Sequence, residues 1–347
     1  NSSEQLLAKI FGGSAGLGSV GVFNSDAVLG GSTSTSLDTA GSIEVNDLSV
    51  IASTDQSVIS QGMSITVGGL AGTGENHNVT ISESVTADVS GQKTQWDVAG
   101  DLLLQATAGN AATAQTSGSG TNTGSISASL MGVGFFKVDS TVSPVVSLSV
   151  TDVKLDVVGT STFDSNATSQ NTTEAKSGSG SLVGGDAAKA TTDNSPDVSL
   201  SLTNLDLTSG KATTISGSSN ANYSTNSNSV YATVAGGSAA RSKNSSNTQV
   251  NVSLGMDTEI NANGSVHVSA DNSMSGIGDG NSLKASGFMA RVGAGGGITG
   301  FGGTSASTMD GSSEIQLAQD VKITAGGRGN IEIGSSNQWQ SNQLTHL

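Results

Sequence analysis

The sequence predicts an all-β chain, a right-handed parallel β-helix or wide β-solenoid built from roughly six repeats of 52–60 residues. Three observations point there. Apolar residues alternate with Ser, Thr and Asn at a period of two, the mark of strands with one buried face. Segments with the same letters return about every 55 residues. The 48 Gly stand against 2 Pro and 3% aromatic residues, which suits thin cores made by stacking rather than one compact core.

The repeat is clearest in VSLSVTDVKL from Val146, VSLSLTNLDL from Val198 and VSLGMDTEI from Val252, at intervals of 52 and 54 residues. In the second of these, Val198, Leu200 and Leu202 share one face and Ser199 and Ser201 the other. A second anchor places an apolar pair after Gly or Asp: Ile43/Val45, Leu102/Leu104, Val266/Val268 and Val321/Ile323, with Phe163 and Ile215 at the same place in the middle units. Each unit then enters an arm of Ser, Thr, Asn and Ala, such as ATAGNAATAQTSGSG, and a Gly-spaced apolar segment such as ASLMGVGFF, SLVGG or VYATVAGGSA. FGGSAGLGSVGVF from Phe11 is the first copy of that segment, so the chain starts partway through a unit. The whole of 1–347 reads as one continuous solenoid with units near 1–30, 31–90, 91–145, 146–197, 198–251, 252–306 and 307–347.

One helix is expected, over SEQLLAKIF, capped by Ser2 or Ser3 with Leu6, Leu7, Ile10 and Phe11 on one side. Elsewhere a single unit holds too few apolar side chains to offset the ordering of its backbone, so neighbouring units must pair with it. Successive parallel strands favour right-handed crossovers, with two or more coils expected per unit. Immunoglobulin-like sandwich modules are the alternative, and two Pro in 347 residues with so few aromatics argue against them. Gly admits close packing and positive-φ corners, and stacked Asn, Ser and Thr form hydrogen-bonded ladders.

Composition excludes several functions. With 13 Lys+Arg against 28 Asp+Glu the net charge is −15, and Lys176, Lys189, Lys211, Arg241 and Lys243 are scattered in sequence, so no basic patch for nucleic acid is visible. No apolar run approaches a membrane span, and residues 1–20 lack the basic start and apolar stretch of a signal peptide. The first residue is Asn, which reads as a mature product or an excised piece of a longer chain. The absence of Cys removes disulfide and thiol chemistry.

The unit of alternating strand, Gly-rich anchor, Ser/Thr/Asn arm and Gly-spaced strand resembles the β-strand repeats of giant filamentous adhesins of Gram-negative bacteria, of the filamentous-haemagglutinin-like and leukotoxin kind. GSVHVSADNS from Gly264, RVGAGGGITGFGG from Arg291 and QDVKITAGG from Gln319 carry the likeness, which spans nearly the whole chain. The resemblance implies a secreted or surface-tethered fibre, often exported by a dedicated outer-membrane partner, that mediates attachment, aggregation or biofilm. It implies no catalytic residues. The amino-terminal secretion domain of such proteins is not recognisable here.

Candidate chemistry is thin. Asp152, Asp156, Glu259 and Glu314 are the obvious carboxylates for a polysaccharide-acting β-helix enzyme, but they fall at repeat-equivalent outward positions, which favours a solvated face. Trp96 and Trp339 are candidate sugar platforms, or plugs in a core. His77, His267 and His346 are far apart and match no metal spacing. GIGDGN from Gly276 resembles a calcium β-roll turn but occurs once, so no cofactor is expected beyond weak, non-specific Ca²⁺ binding to the acidic surface. Asn78, Asn166, Asn171, Asn222, Asn244, Asn251 and Asn263 begin N-x-[ST] triplets of the kind that arise by chance in this composition.

The sequence thus points to a non-enzymatic structural segment of an extracellular or bacterial cell-surface fibre, an adhesin stalk. A subunit that polymerises end to end into a filament or sheath is the alternative, and a polysaccharide-acting enzyme a distant third. Partners would be neighbouring repeats or identical subunits, with a host-cell, glycan or matrix ligand, no nucleic acid and no membrane-spanning segment. GNIEIGSSNQWQSNQLTHL shows no obvious cap, and uncapped strand edges template addition.

Overall fold

Alternating residues become strand wherever the next repeat supplies a partner for the backbone. The computed structural model describes residues 2–116, 125–276, 288–341 and 344–346, and these contain nineteen strands and no helix. The first layer holds β1 (Ser2–Asp38) and β2 (Ile43–Val45), the second β3 (Leu48–Ser90) and β4 (Gln95–Val98). The third holds β5 (Leu102–Gln115), β6 (Ser125–Val142), β7 (Val145–Thr151) and β8 (Lys154–Val157). The fourth holds β9 (Ser161–Asn194), β10 (Asp197–Thr203) and β11 (Asp206–Ser209), the fifth β12 (Thr213–Leu254) and β13 (Glu259–Ala262). The sixth holds β14 (Val266–Gly276), β15 (Phe288–Gly295), β16 (Ile298–Leu317) and β17 (Lys322–Ala325), and β18 (Ile331–Gln340) and β19 (Leu344–His346) begin a seventh.

Every pairing is parallel, and each residue pairs with the residue one repeat away. Leu6 sits opposite Val58, Val146 opposite Val198, Thr213 opposite Val266. One unit therefore makes one layer, not the two or more coils expected. The step is 52 residues between the first two layers and between the fourth and fifth long strands. It rises from 54 to 61 on crossing residues 117–124 and from 53 to 63 on crossing 277–287, where the longer units carry their extra residues.

Two sheets result. The larger follows the long strands, and the smaller is a six-stranded parallel sheet in the order β17-β13-β11-β8-β4-β2. The helix expected over SEQLLAKIF is absent: Leu6–Phe11 lie in β1, hydrogen-bonded in register to Val58–Met63. A partner 52 residues away at every backbone position outweighs a local helical pattern that buries only a few side chains. No helix among the described residues is long and apolar enough to cross a membrane.

The sequence anchors need two corrections. The residue opposite Val198 in the next layer is Val250, and Val252 lies opposite Leu200, so the third repeat is displaced by two residues. A slip of two keeps the inward face inward, which is why the pattern survives it. The second anchor merges two sheets. Leu104, Phe163, Ile215 and Val268 do stack in one column. Ile43 and Ile323 belong instead to the smaller sheet, in a column with Trp96, Leu155, Leu207 and Ile260.

Within a layer the core is graded. Where the smaller sheet faces the larger one, aliphatic side chains such as Leu104, Leu148, Leu155, Leu200 and Ile260 pack with Trp96 and Phe163. Further out, each long strand doubles back so that two walls face each other across a narrow interior. There hydroxyls and amides meet: Thr173 with Thr192 at 2.7 Å, Ser229 with Ser238 at 2.8 Å, and Asn171 donating to Asn194 at 3.1 Å. These polar pairs share the outer interior with the buried rings of Phe136, Tyr223 and Tyr231 and with an aliphatic patch of Val58, Val79, Ile81 and Val138.

Positive φ is used at corners, chiefly by Asp, Asn and Lys rather than by Gly. Lys93, Asp152, Asn204, Asp257 and Asp320 have φ between 53° and 70°. These residues precede successive strands of the smaller sheet, so one turn recurs in five layers.

Candidate interaction edge

The far end of each doubled-back strand breaks the alternation that rules elsewhere. At the bend two neighbouring positions face outward: Leu17 and Gly18, Leu130 and Met131, Leu182 and Val183. Leu70, Val234 and Ile298 stand at the matching bends of the second, fifth and sixth layers, and all of these apolar side chains are at least half exposed, Leu17 at 92%. Register aligns Gly18, Leu70, Met131, Val183, Ala235 and Ile298 in one column. The result is an apolar ridge along the stacking direction, about 24 Å from the first to the sixth layer at about 4.8 Å per step.

Glycine makes the bend possible. At the inner corner, a Cβ on Gly184 would strike the carbonyl oxygen of Gly132, and one on Gly236 that of Gly184. In the third to fifth layers the absence of a side chain lets the backbones close up at this corner, while Ser19, Ala71 and Thr299 hold the same column in the other layers. The Gly-spaced segments singled out in the sequence are therefore the bend and its flanks.

Beside the ridge run two shallow apolar grooves. One, of about 600 Å³, lies against Val20, Leu70, Met131, Val133 and Val183. The next, of about 560 Å³, lies against Val133, Phe135, Ala187, Ala239 and Phe301. Gly72, Gly185, Gly237 and Gly300 fill the column of Val20 and Val133, so the flank carries branched side chains in the first and third layers and bare backbone in the fourth to sixth.

Under the second groove Asp186 points inward, 5% exposed, beside Gly134, whose missing side chain leaves it room. Burial pushes its carboxyl up to about 7. Two layers away on the same wall, Glu75 and His77 meet at 3.3 Å with both side chains fully buried. Thr54 donates to Glu83 at 2.6 Å nearby.

Register also assembles cations that are far apart in sequence. Lys137, Lys189 and Arg241 occupy one column in the third, fourth and fifth layers, immediately beyond Phe135, Ala187 and Ala239. Lys137 pairs with Asp139. The sequence showed scattered Lys and Arg; the layer spacing turns three of them into a row, with Lys243 two residues past Arg241. Lys211, in contrast, lies in the turn between β11 and β12.

The other sequence candidates do not converge. Asp152 holds a corner and accepts a hydrogen bond from Asn204. Asp156 is exposed on β8, in a column with Asp97 and Thr208. Glu259 lies in the neighbouring column between Asp206 and Lys322; donation from Asn261 and the Lys322 charge hold its carboxyl below the ordinary value. Glu314 is exposed on β16 opposite Asn251. These four are thus not equivalent to one another, as the sequence suggested, and they line no common cleft. Asp101 is likewise held low, by the backbone N–H of Thr160 at 2.7 Å and its hydroxyl at 2.9 Å.

Trp96 is fully buried in the aliphatic core, whereas Trp339, on β18 opposite Met274, is half exposed. His267 faces Glu332 at 3.3 Å across two layers, far in sequence from the His77 pair, and no group of three metal-ligating side chains occurs among the described residues. Of GIGDGN only Gly276 falls within the described residues. Asn171 and Asn244 are fully buried, so two of the N-x-[ST] triplets are closed to glycans in this fold, while Asn251 and Asn263 are exposed.

No family model, no curated protein and no solved structure matches the chain.

Proposed function

We propose that the chain is a non-enzymatic structural segment of an extracellular or bacterial cell-surface fibre, a stretch of adhesin stalk folded as a right-handed parallel β-solenoid. The observation that supports it is the register: from β1 to β18 each residue pairs with its counterpart one repeat on, so the molecule is quasi-one-dimensional and extends by adding layers. The carboxylates lie in separate columns on solvated faces, which suits a scaffold better than a catalytic groove. Electron microscopy of the purified chain tests this. Rods with an axial layer spacing of about 4.8 Å are expected; globular particles, or hydrolysis of an acidic polysaccharide that is lost in Asp156→Asn, overturn it.

End-to-end polymerisation is a second reading, favoured by the shapes of the outermost layers. Extending the register by one step would set Phe301 against Gly21 of a following first layer, Phe23 against Gly303, and Ile298 against Gly18. Bulk meets gap at each position, and both outer strands carry unpaired edges able to accept a parallel neighbour among the described residues. Sedimentation at rising concentration separates the two: fibres of indefinite length favour the polymer, a concentration-independent rod the stalk.

A further inference from the structure

We propose that the apolar ridge and its cationic flanks form a docking edge for a lipid bilayer bearing anionic headgroups, on which the rod lies lengthwise. This goes beyond the fibre reading and needs only the layered fold. Charge is segregated along the cross-section. Within eight residues of the bend in each layer, that is 9–25, 61–77, 122–138, 174–190, 226–242 and 290–306, there are six Lys or Arg and three Asp or Glu. The remainder of the chain carries seven Lys or Arg and twenty-five Asp or Glu.

Two of those three acids, Glu75 and Asp186, are buried and face the interior. The outer surface around the bend therefore presents Lys9, Lys137, Lys176, Lys189, Arg241 and Arg291; Lys176 is paired with Glu174 and Lys137 with Asp139 just beyond the bend, which still leaves a positive edge on a protein of net charge −15. Lys137, Lys189 and Arg241 flank the ridge on the returning wall, and Lys176 and Arg291 flank it on the outgoing wall, in one column through Asn228.

This arrangement is amphipathic in the manner of interfacial segments, with an apolar line that enters the headgroup and acyl boundary and basic rows beside it that reach the phosphates. A second copy of the edge would bring like charges together, which disfavours lateral pairing through the same face. A bilayer of opposite sign supplies what the edge lacks on both counts, apolar contact and counter-charge. The acidic broad end then faces away, which fixes which side of the rod is down.

Flotation with vesicles tests the proposal. The full chain is expected to float with phosphatidylcholine vesicles containing about 30% phosphatidylglycerol, and at least about tenfold less with phosphatidylcholine alone or at about 1 M salt. Lys189→Ser and Arg241→Ser should each lower partitioning about fivefold at low salt. Leu182→Ser with Val183→Ser should abolish it while the far-UV spectrum stays that of the wild type. Lys154→Ser, at the broad end, should change it less than twofold. Equal flotation with neutral vesicles, no flotation at all, or an equal loss in Lys154→Ser overturns the proposal. So does self-association of the wild type that Leu182→Ser and Val183→Ser abolish while vesicles stay bare, which would assign the ridge to a second copy.

Discussion

Asn204 donates its side-chain amide to the carboxylate of Asp152 one layer below, and both residues hold the left-handed backbone conformation, at φ 53° and 58°. The pair shows how this fold repeats a corner: short polar side chains that tolerate positive φ are stacked from layer to layer, and here two of them also bond to each other. Replacing Asn204 by Val places a β-branched residue where it is strained and deletes the bond. The expected loss is about 1–3 kcal/mol, read as a lowered urea midpoint, with Asn204→Gly losing less than half as much.

Asp186 makes stability depend on pH in the direction opposite to most carboxylates. Its folded-state value of about 7 stands above the ordinary 3.8. Below about pH 4 the group is protonated in both states and its burial carries no penalty. Between about pH 4 and pH 7 the unfolded chain releases this proton while the folded protein keeps it, so stability falls across that window and levels off above pH 7. Asp186→Asn should therefore gain about 2–3 kcal/mol on the wild type between pH 5 and pH 8. Chemical unfolding of the two proteins at both pH values checks this, and a constant difference would refute it.

The two tryptophans should part company. Trp96 is enclosed between Ile43 and Leu155 in its column, so Trp96→Ala is expected to cost about 3–5 kcal/mol, while Trp339→Ala at a half-exposed site costs less than about 0.5 kcal/mol. Emission from Trp339→Phe, which retains Trp96 alone, should be blue-shifted and shielded from iodide.

Removing residues 161–212 deletes one layer and joins Thr160 to Thr213, the register counterpart of Ser161. Every column stays in phase, so the shortened chain is expected to remain soluble with an unchanged β-sheet spectrum per residue. Removing one residue fewer, 161–211, shifts the following strand by one and turns its inward face to water. Expression of the two deletions side by side, with soluble yield as the readout, tests the register directly.

Much of this architecture could be read from the letters. Alternation gave the inward face of Val198, Leu200 and Leu202, and an interval of 52 residues matched the observed step between Phe163 and Ile215. What escaped depended on relations that no local window contains. The displacement of Val252 by two residues left parity intact and hence no mark in the pattern. Ile43 and Leu102 follow the same local motif but enter different sheets, a choice made by which partner waits one layer away. The ridge did leave a trace, two successive apolar residues beside Gly as in Leu182, Val183 and Gly184, where strict alternation would demand one. The row of Lys137, Lys189 and Arg241 left none, because it exists only once the step is known.

The hydrogen bonds between layers all run along the stacking direction, which has a mechanical consequence. A pull along that direction loads every inter-layer bond of one layer together, so a layer resists as a block and then peels away whole. Force–extension traces should show one rupture per layer, each releasing 52 to 63 residues, about 180–220 Å of chain at some 3.5 Å per residue. A tether made this way yields layer by layer and holds its remaining length between ruptures.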